Sequence, residues 1–351
     1  MHPKRHPMIM EMSLGCDENG KLTFVEADII GDTGAYASVG MKVLERAAGH
    51  ATSAYSIPIV KLRSRSVYTN NIPCGAMRGF GVNQINFAIE SCIDELCVQG
   101  GFDCWQIRYD NPILPVDRTL TGQKLTSGGD NKKTFIAVKQ LLQNAKFAGI
   151  ACGMKNTGIG NGVQDGSKVK VVIDSPTEIT IHHGWTEMGQ GVFTMAVQFL
   201  CEATGVNPNF ISVKVDTSKD APCGMTTASR GTSLIGNSVL DAGKKLKADL
   251  ETHSLQELVG REYVGEWICD WTTAIEADAD EPQTHYSYSY ATQVVTLDDS
   301  GKVENVFAAH DAGRIVNPIL FEGQLEGSVH MGLGYALSEK FDMEEGRPVH
   351  T

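Results

Sequence analysis

Ile72-Pro73-Cys74-Gly75-Ala76-Met77-Arg78-Gly79-Phe80-Gly81-Val82-Asn83-Gln84 stands between two different hydrophobic periods. Before it, Val60 to Tyr68 alternates Lys61, Arg63 and Arg65 with Leu62 and Val67, the period-two pattern of a strand with one solvated face. After it, Val82, Ile85, Ile89, Cys92, Ile93 and Leu96 recur at helical spacing and predict a core helix from about Gly81 to Gln99. The stretch is therefore a turn that opens a helix. Gly75, Gly79 and Gly81 add nothing to a core and suit a tight turn or a close approach to another group. Arg78 presents a planar fork of donors, and Phe80 a flat apolar face. The helix dipole adds positive potential where the turn meets the helix. A plain surface turn with an exposed arginine is the competing reading.

The same strand-turn-helix habit recurs. Thr177 to His183 reads as a strand and leads through Gly184-Trp185-Thr186-Glu187-Met188-Gly189-Gln190-Gly191 into a helix marked by Val192, Met195, Ala196, Phe199, Leu200 and Ala203. Glycine-rich turns at helix starts deliver backbone N–H groups, the makings of an anion or cofactor cradle. Phe210 to Val215 is a strand, Thr226 to Ser233 a polar turn, and Ile235, Val239, Ala242 and Leu246 the stripe of a further helix. The hydroxyls of that turn are expected to cap the helix. Val303 to His310 is a strand, and Asn317 to Leu337 a helix whose Gly323, Gly327, Gly332 and Gly334 imply close approach of another helix or a ligand.

Elsewhere, Met8 to Leu14 and Lys21 to Ile30 form a hairpin about the turn Asp17-Glu18-Asn19-Gly20. The spacing of that acidic turn does not match a calcium loop. A short helix is expected over Val43 to His50, with Glu45 and Arg46 on it, and another over Lys133 to Asn144. Asn111 to Asp130 is a connecting segment rich in Pro, Gly and Thr. Phe147 to Met154 is an apolar run, and Lys168 to Ile173 a strand. Gly158-Ile159-Gly160-Asn161-Gly162 has the wrong spacing for a dinucleotide-binding loop and precedes a strand where a helix would be needed. His285 to Leu297 places Tyr286, Tyr288 and Tyr290 on one face of a strand, with base stacking as a weaker alternative role. The fold class is α/β (α+β), with helices packed on mixed sheets.

The totals agree with a soluble globular chain. The 351 residues suffice for two domains, hydrophobic content is 42%, and no apolar run approaches a membrane span. A net charge of −12 argues against nucleic acid as partner. Nine scattered cysteines with no C-x-x-C point to a reducing, cytoplasmic setting, without a zinc ribbon or a ferredoxin-type cluster.

Four motifs in order carry a resemblance: Ala76-Met77-Arg78-Gly79-Phe80-Gly81, Thr186-Glu187-Met188-Gly189-Gln190-Gly191, Thr227-Ala228-Ser229-Arg230-Gly231-Thr232, and Asp311-Ala312-Gly313-Arg314-Ile315-Val316-Asn317-Pro318 with Gly323-Gln324-Leu325-Glu326-Gly327. The chain resembles the molybdenum-binding subunit of the xanthine dehydrogenase / aldehyde oxidase family, nearest to bacterial purine hydroxylases and their selenium-dependent branch. The resemblance implies two domains that bind a molybdopterin-type cofactor, over 1–130 and 131–351. It implies hydroxylation of a purine or related N-heterocycle (xanthine- or hypoxanthine-like), with water as the oxygen source. Electrons would leave through iron–sulfur centres and FAD on partner domains or subunits.

Residue by residue, the family pattern assigns Arg78 to the flank of the molybdenum centre and Phe80 to the substrate sandwich. Arg46 falls at the position that orients a purine and stabilises developing negative charge; an exposed helix arginine beside Glu45 is its competing reading. Met188, Gly189, Gln190, Ala228, Ser229 and Gln324 match the pterin cradle, and none of these residues ligates the metal directly. The chain departs from the pattern at Gly160 and Asn161, where purine enzymes often carry a second sandwiching phenylalanine. A G-G-G-F-G-G stretch would precede residue 1, before His2-Pro3-Lys4-Arg5-His6-Pro7, and the segment with the general-base glutamate would follow residue 351. Glu45, Glu187 and Glu322 do not match the base position. The expectation is an internal fragment that is inactive alone and works with its missing ends. The alternative is a non-catalytic fragment or assembly scaffold that cannot hold the cofactor alone.

Overall fold

A computed structural model of the chain describes residues 4–125, 131–345 and 347–349. The last residues of the expected connecting segment, and His2 and Pro3, lie outside the described residues. The chain divides into two compact units, each built from more than one stretch: residues 1–156, 288–313 and 329–351 form the first, and 157–287 with 314–328 the second.

In the first unit, β1 (Met8–Cys16) and β2 (Leu22–Asp32) pair antiparallel across the Asp17–Gly20 turn. The Asp17 carboxylate accepts the Asn19 and Lys21 N–H groups and so closes that turn. α1 (Gly40–Ala48) then crosses over and returns the chain to β3 (Ile59–Val67), which lies parallel to β2. This is a βαβ unit, because parallel neighbours need a crossover rather than a hairpin. The basic face of β3 is solvated as expected, and the register sets Lys61 opposite Glu26 and Arg63 opposite Asp28. Lys61 meets Glu26 at 2.6 Å and Arg65 meets Asp28 at 2.8 Å.

α2 (Val82–Gly100) buries Ile85, Ile89 and Ile93, the stripe its spacing predicts. The periodicity does not foretell α3 (Cys104–Asp110), a two-turn helix whose Asp103 side chain accepts the Gln106 N–H at 2.7 Å. α4 (Asn131–Asn144) buries Phe135 and Val138. β4 (Ala148–Thr157) lies in a sheet of order β10-β9-β4, with β9 (Ser287–Leu297) antiparallel to β10 (Val303–Asp311). Tyr290 of β9 is 2% exposed and joins the core with Ile89, Ile93, Phe135 and Val294. Tyr290 therefore packs inward, and a base-stacking role is ruled out for it.

Charged groups lie buried inside this unit, Arg108 together with Glu90. Arg108 of α3 is fully buried, with Nε 2.8 Å from Glu90 and Nη2 2.7 Å from Asp94, while the Tyr55 hydroxyl donates to the other Glu90 oxygen. Burial opposes the Glu90 charge and raises its pKa, and Arg108 works against that rise.

The second unit holds a four-stranded mixed sheet of order β7-β6-β5-β8, from β5 (Asp165–Ser175), β6 (Glu178–His182), β7 (Ile211–Lys214) and β8 (Glu262–Cys269). β5 pairs antiparallel with β6 and β8, and β6 parallel with β7 through α5 (Val192–Thr204), the second βαβ crossover. α5 and α6 (Gly231–Leu250) cover one face, so that Val169, Val171, Ile179, Ile181, Leu200, Leu234, Val239 and Leu246 share one core. α7 (Pro318–Leu337) begins in this unit, and its residues from Val329 onward belong to the first. Two short strands, β11 (Met343–Glu344) and β12 (Arg347–Pro348), pair near the end. No described helix is long and apolar enough to cross a membrane.

Because Arg108 is buried among partners, removing one of them strands a charge in low dielectric. Glu90→Ala is expected to lower stability by about 3–5 kcal/mol, read as a fall in the urea midpoint, with a smaller loss for Glu90→Gln, which keeps an acceptor.

Candidate functional site

Three turns of the second unit stand at helix starts. In the first, after β6, Gly189 and Gly191 hold φ of +96° and +82°, and Gly191 is the residue before α5. A Cβ on Gly191 would stand 2.6 Å from the Leu320 side chain of α7, so only glycine lets these segments meet. The Glu187 carboxylate folds back onto the helix start and accepts N–H groups of Gly189 at 2.8 Å, Gly191 at 2.9 Å and Phe193 at 3.2 Å. Burial works against its charge, but these backbone donors hold its pKa below the usual carboxylate range. The amides expected to cradle a ligand thus face Glu187, and the turn instead presents side chains outward. Met188 is 69% exposed. Gln190 accepts the Met188 N–H at 2.6 Å and donates to Thr186 O at 2.7 Å, which orients its amide.

The second turn, ahead of α6, places Ala228 and Ser229 at φ of +54° and +51°. Two successive non-glycine residues in the left-handed region are strained by about 1–3 kcal/mol each and persist only where the surroundings impose them. Those surroundings are visible. Gly158 N–H donates to Ala228 O at 3.0 Å, and Thr226 Oγ1 accepts the Thr186 N–H at 3.0 Å, tying this turn to the first. Arg230, 2% exposed, pairs with buried Asp165 and donates to Cys223 O at 2.7 Å and Met225 O at 3.1 Å. Its guanidinium lies over the Trp185 ring, 4.8 Å from the centroid. The expected hydroxyl cap of α6 is corrected: Arg230 occupies the cap position and no side chain caps the helix, because the Thr226 hydroxyl serves the neighbouring turn.

The third turn opens α7. Asn317 caps it by accepting the Leu320 N–H at 3.0 Å, and donates to Gln198 of α5 at 2.9 Å. Gln324, exposed, follows Leu320 by one turn on the same helix face. A Cβ at Gly323 or Gly332 of α7 would meet nothing within 4 Å, so another helix does not account for these two glycines among the described residues. Met188, Gly189, Gln190, Ala228, Ser229 and Gln324 are therefore carried on turns and a helix face that the second unit ties together.

In the first unit, Gly79, Phe80 and Gly81 hold φ of +96°, +52° and +94° in succession. A side chain at Gly81 would strike the Val43 carbonyl of α1, so the Phe80 turn rests directly on that helix. Phe80 is half-buried against the cluster of Val43, Leu44 and Ala47, and Arg78 is exposed. Arg5 donates to Arg78 O at 3.0 Å and pairs with Glu339 at 2.7 Å, fixing the backbone beneath Arg78.

Arg46 lies on the same helix and is half-buried, and the neighbouring Glu45 carboxylate meets Lys42 at 2.7 Å. Burial lowers the Arg46 pKa while Glu45 and Tyr288 act to raise it. His50 Nδ1 lies 3.0 Å from Arg46 O and donates to it; burial, Lys155 and Arg46 together keep that imidazole neutral. Lys155, on β4, has its pKa pulled down to about 7 by burial and by Arg46. Sequence reading passes over Lys155; a lysine closing an otherwise apolar strand is the available signal. The pairing of Asp165 with Arg230 leaves none, since the two lie far apart in the chain.

Glu187 has a depressed pKa, so its contribution is present above about pH 4.5, the ordinary value, and is lost as pH falls through the folded value. Glu187→Ala is expected to lower stability by about 1–2 kcal/mol at pH 7, and the gap in melting temperature between wild type and Glu187→Gln to close as pH is lowered below about 4.5.

Two family models described as molybdopterin cofactor-binding domains match the chain, over residues 1–112 and 136–351. A probable xanthine dehydrogenase subunit from Bacillus subtilis (strain 168) is 30% identical over 98% of the chain, which spans 52% of that protein. The large molybdopterin subunit of nicotinate dehydrogenase from Eubacterium barkeri is 41% identical over 35% of the chain and 29% of that subunit. The solved aldehyde oxidoreductase from Desulfovibrio gigas superposes with a TM-score of 0.88 at 26% identity, covering 97% of this chain and 40% of that one. The chain thus spans about half, or less, of the length of these relatives. With both family models matched in order and the fold shared throughout, the chain belongs to the molybdopterin cofactor-binding domain family of the xanthine dehydrogenase and aldehyde oxidoreductase molybdenum subunits.

Proposed function

We propose that this chain is the cofactor-binding portion of a molybdenum hydroxylase that oxidises a purine or related N-heterocycle, with water as the oxygen source. The observation that carries the reading is Arg46, half-buried on the helix that supports the Phe80 turn. A guanidinium in that position is suited to a ring carbonyl on which negative charge grows during oxidation, a role an aldehyde substrate does not require. Phe80 offers a face for ring stacking. Two of the three relatives named above carry the names of N-heterocycle dehydrogenases.

The donor set fits a pterin. The second unit presents the oriented Gln190 amide, the open backbone beside Gly189 (where a Cβ would meet nothing within 4 Å) and the left-handed Ala228–Ser229 backbone. Met188, Gly189, Gln190, Ala228, Ser229 and Gln324 would hold the pterin, and Arg78 would lie beside the molybdenum. When bound, the cofactor supplies the two-electron oxidation. The chain's own groups bind, orient and stack the substrate and stabilise charge on its carbonyl oxygen. The general base would come from another part of the subunit, and iron–sulfur and flavin groups from other domains or subunits, in a cytoplasmic enzyme. The two cofactor-binding domains would divide near residue 130.

In the complete enzyme, Arg46→Met is expected to lower kcat/KM for an oxypurine by about 10²–10³-fold, the size typical of a lost charge-stabilising donor, and kcat/KM for an aromatic aldehyde by less than about threefold. Equal losses on the two substrates would overturn the assignment.

A further inference from the structure

We propose that Arg5 is a positioning residue for the Arg78–Phe80 turn: it clamps the Arg78 carbonyl to the C-terminal end of α7 and so sets the direction in which the Arg78 side chain leaves the backbone. This inference rests on the function proposed above, which puts Arg78 beside the molybdenum, and adds to that site a residue that acts through another.

Lys4, Arg5 and His6 precede β1 and form a strap along the segment that leads into the turn, all within the first unit. Lys4 pairs with Cys74 in a parallel bridge, and its carbonyl accepts the Gly75 N–H at 3.0 Å. The His6 carbonyl accepts the side-chain amide of Gln84, in the first turn of α2, at 3.2 Å. The strap thus grips the turn from both sides. Pro7 O accepts the Asp32 N–H at 3.0 Å, which holds the strap to β2. Between these grips the Arg5 side chain is 7% exposed, and all three of its nitrogens are engaged. Nε lies 2.7 Å and Nη2 3.2 Å from the two Glu339 oxygens, and Nη1 donates to Arg78 O at 3.0 Å. The guanidinium lies over the Tyr335 ring of α7, 4.6 Å from its centroid.

The clamp falls where the turn most needs one. Arg78 O belongs to the peptide that joins Arg78 to Gly79, and Gly79 holds a φ of +96°. Glycine admits both signs of φ about equally, so Gly79 does not by itself choose the orientation of that peptide. Inside the turn, Phe80 N–H donates to Met77 O at 3.0 Å and Val82 N–H to Gly79 O at 3.2 Å. Arg5 holds from outside what these two bonds hold from within. A planar fork paired at two points and stacked on a ring is a fixed point rather than a loose tether. Lysine could keep the charge pair with Glu339, but it has a single nitrogen where three are in use. Arg5→Lys therefore separates the ion pair from the positioning.

The test compares wild type, Arg5→Lys, Glu339→Gln and Arg78→Met in the complete enzyme. It reads the urea midpoint, hydrogen–deuterium exchange at the Phe80 and Val82 amides, and turnover of an oxypurine. Arg5→Lys is expected to keep the urea midpoint, because the charge pair survives. It should nevertheless speed exchange at both amides by about 10-fold and lower kcat by about 10–100-fold, with KM changed less than about threefold. Glu339→Gln loosens the fork and leaves Arg5 in place, so it should show the same two changes at about threefold; it carries the test should Arg5→Lys fail to fold. Both changes are required. Either one alone, or neither, would leave Arg5 a structural ion pair and overturn the proposal. Arg78→Met tests the reading beneath it: an unchanged kcat there would overturn the place given to Arg78, while the exchange result still decides whether Arg5 holds the turn.

Discussion

Arg230 is the point on which the second unit's turns depend. Its guanidinium is out of water, paired with Asp165 at the start of β5, stacked on Trp185 and bonded to two carbonyls of the preceding loop. A buried charge is tolerated only when its surroundings satisfy it, so each of these groups is obliged to stay where it is. Trp185 in turn donates its indole N–H to Ser167 at 3.0 Å, linking the first turn to the sheet. The strained Ala228–Ser229 backbone sits immediately before this anchor. The arrangement converts a desolvation penalty into positional accuracy of the turns that open α5 and α6.

The first unit reaches the same end by steric means. Gly81 lies where any side chain would strike α1, and the consecutive left-handed residues around Phe80 leave the turn few alternative paths. α1 carries Arg46 and supports Phe80, so a shift of that helix moves both groups together. The candidate functional groups of both units are mostly on turns, whereas the sheets and helices serve as the frame that aims them.

Much of this is legible in sequence because it is local. The helical stripes of α2 and α5 and the alternation of β1, β2 and β3 are properties of short windows, and the glycine-rich turns announce positive φ. What escapes is non-local or too short. α3 has seven residues, fewer than a period needs to declare itself. The aromatic alternation of β9 is visible, but periodicity does not tell which face is inward, and Tyr290 is core. The Thr226 hydroxyl resembles a helix cap in sequence because its partner, Thr186, lies in another turn. Likewise the lowered pKa of Lys155 comes from burial and from Arg46, far away in the chain, and no spacing rule links them.

The interleaving of the two units bears on how this polypeptide can be dissected. β4 closes one stretch of the first unit, but its partner β9, and β10 beyond it, are supplied only after the chain has traversed Thr157 to Ser287. A fragment ending near residue 156 would leave β4 with an unpaired edge, a surface that invites aggregation. The long closure also makes the first unit slow to complete, since its last strands must return across an intervening body. Expression of separate halves cut at a linear boundary is therefore the wrong route to soluble pieces.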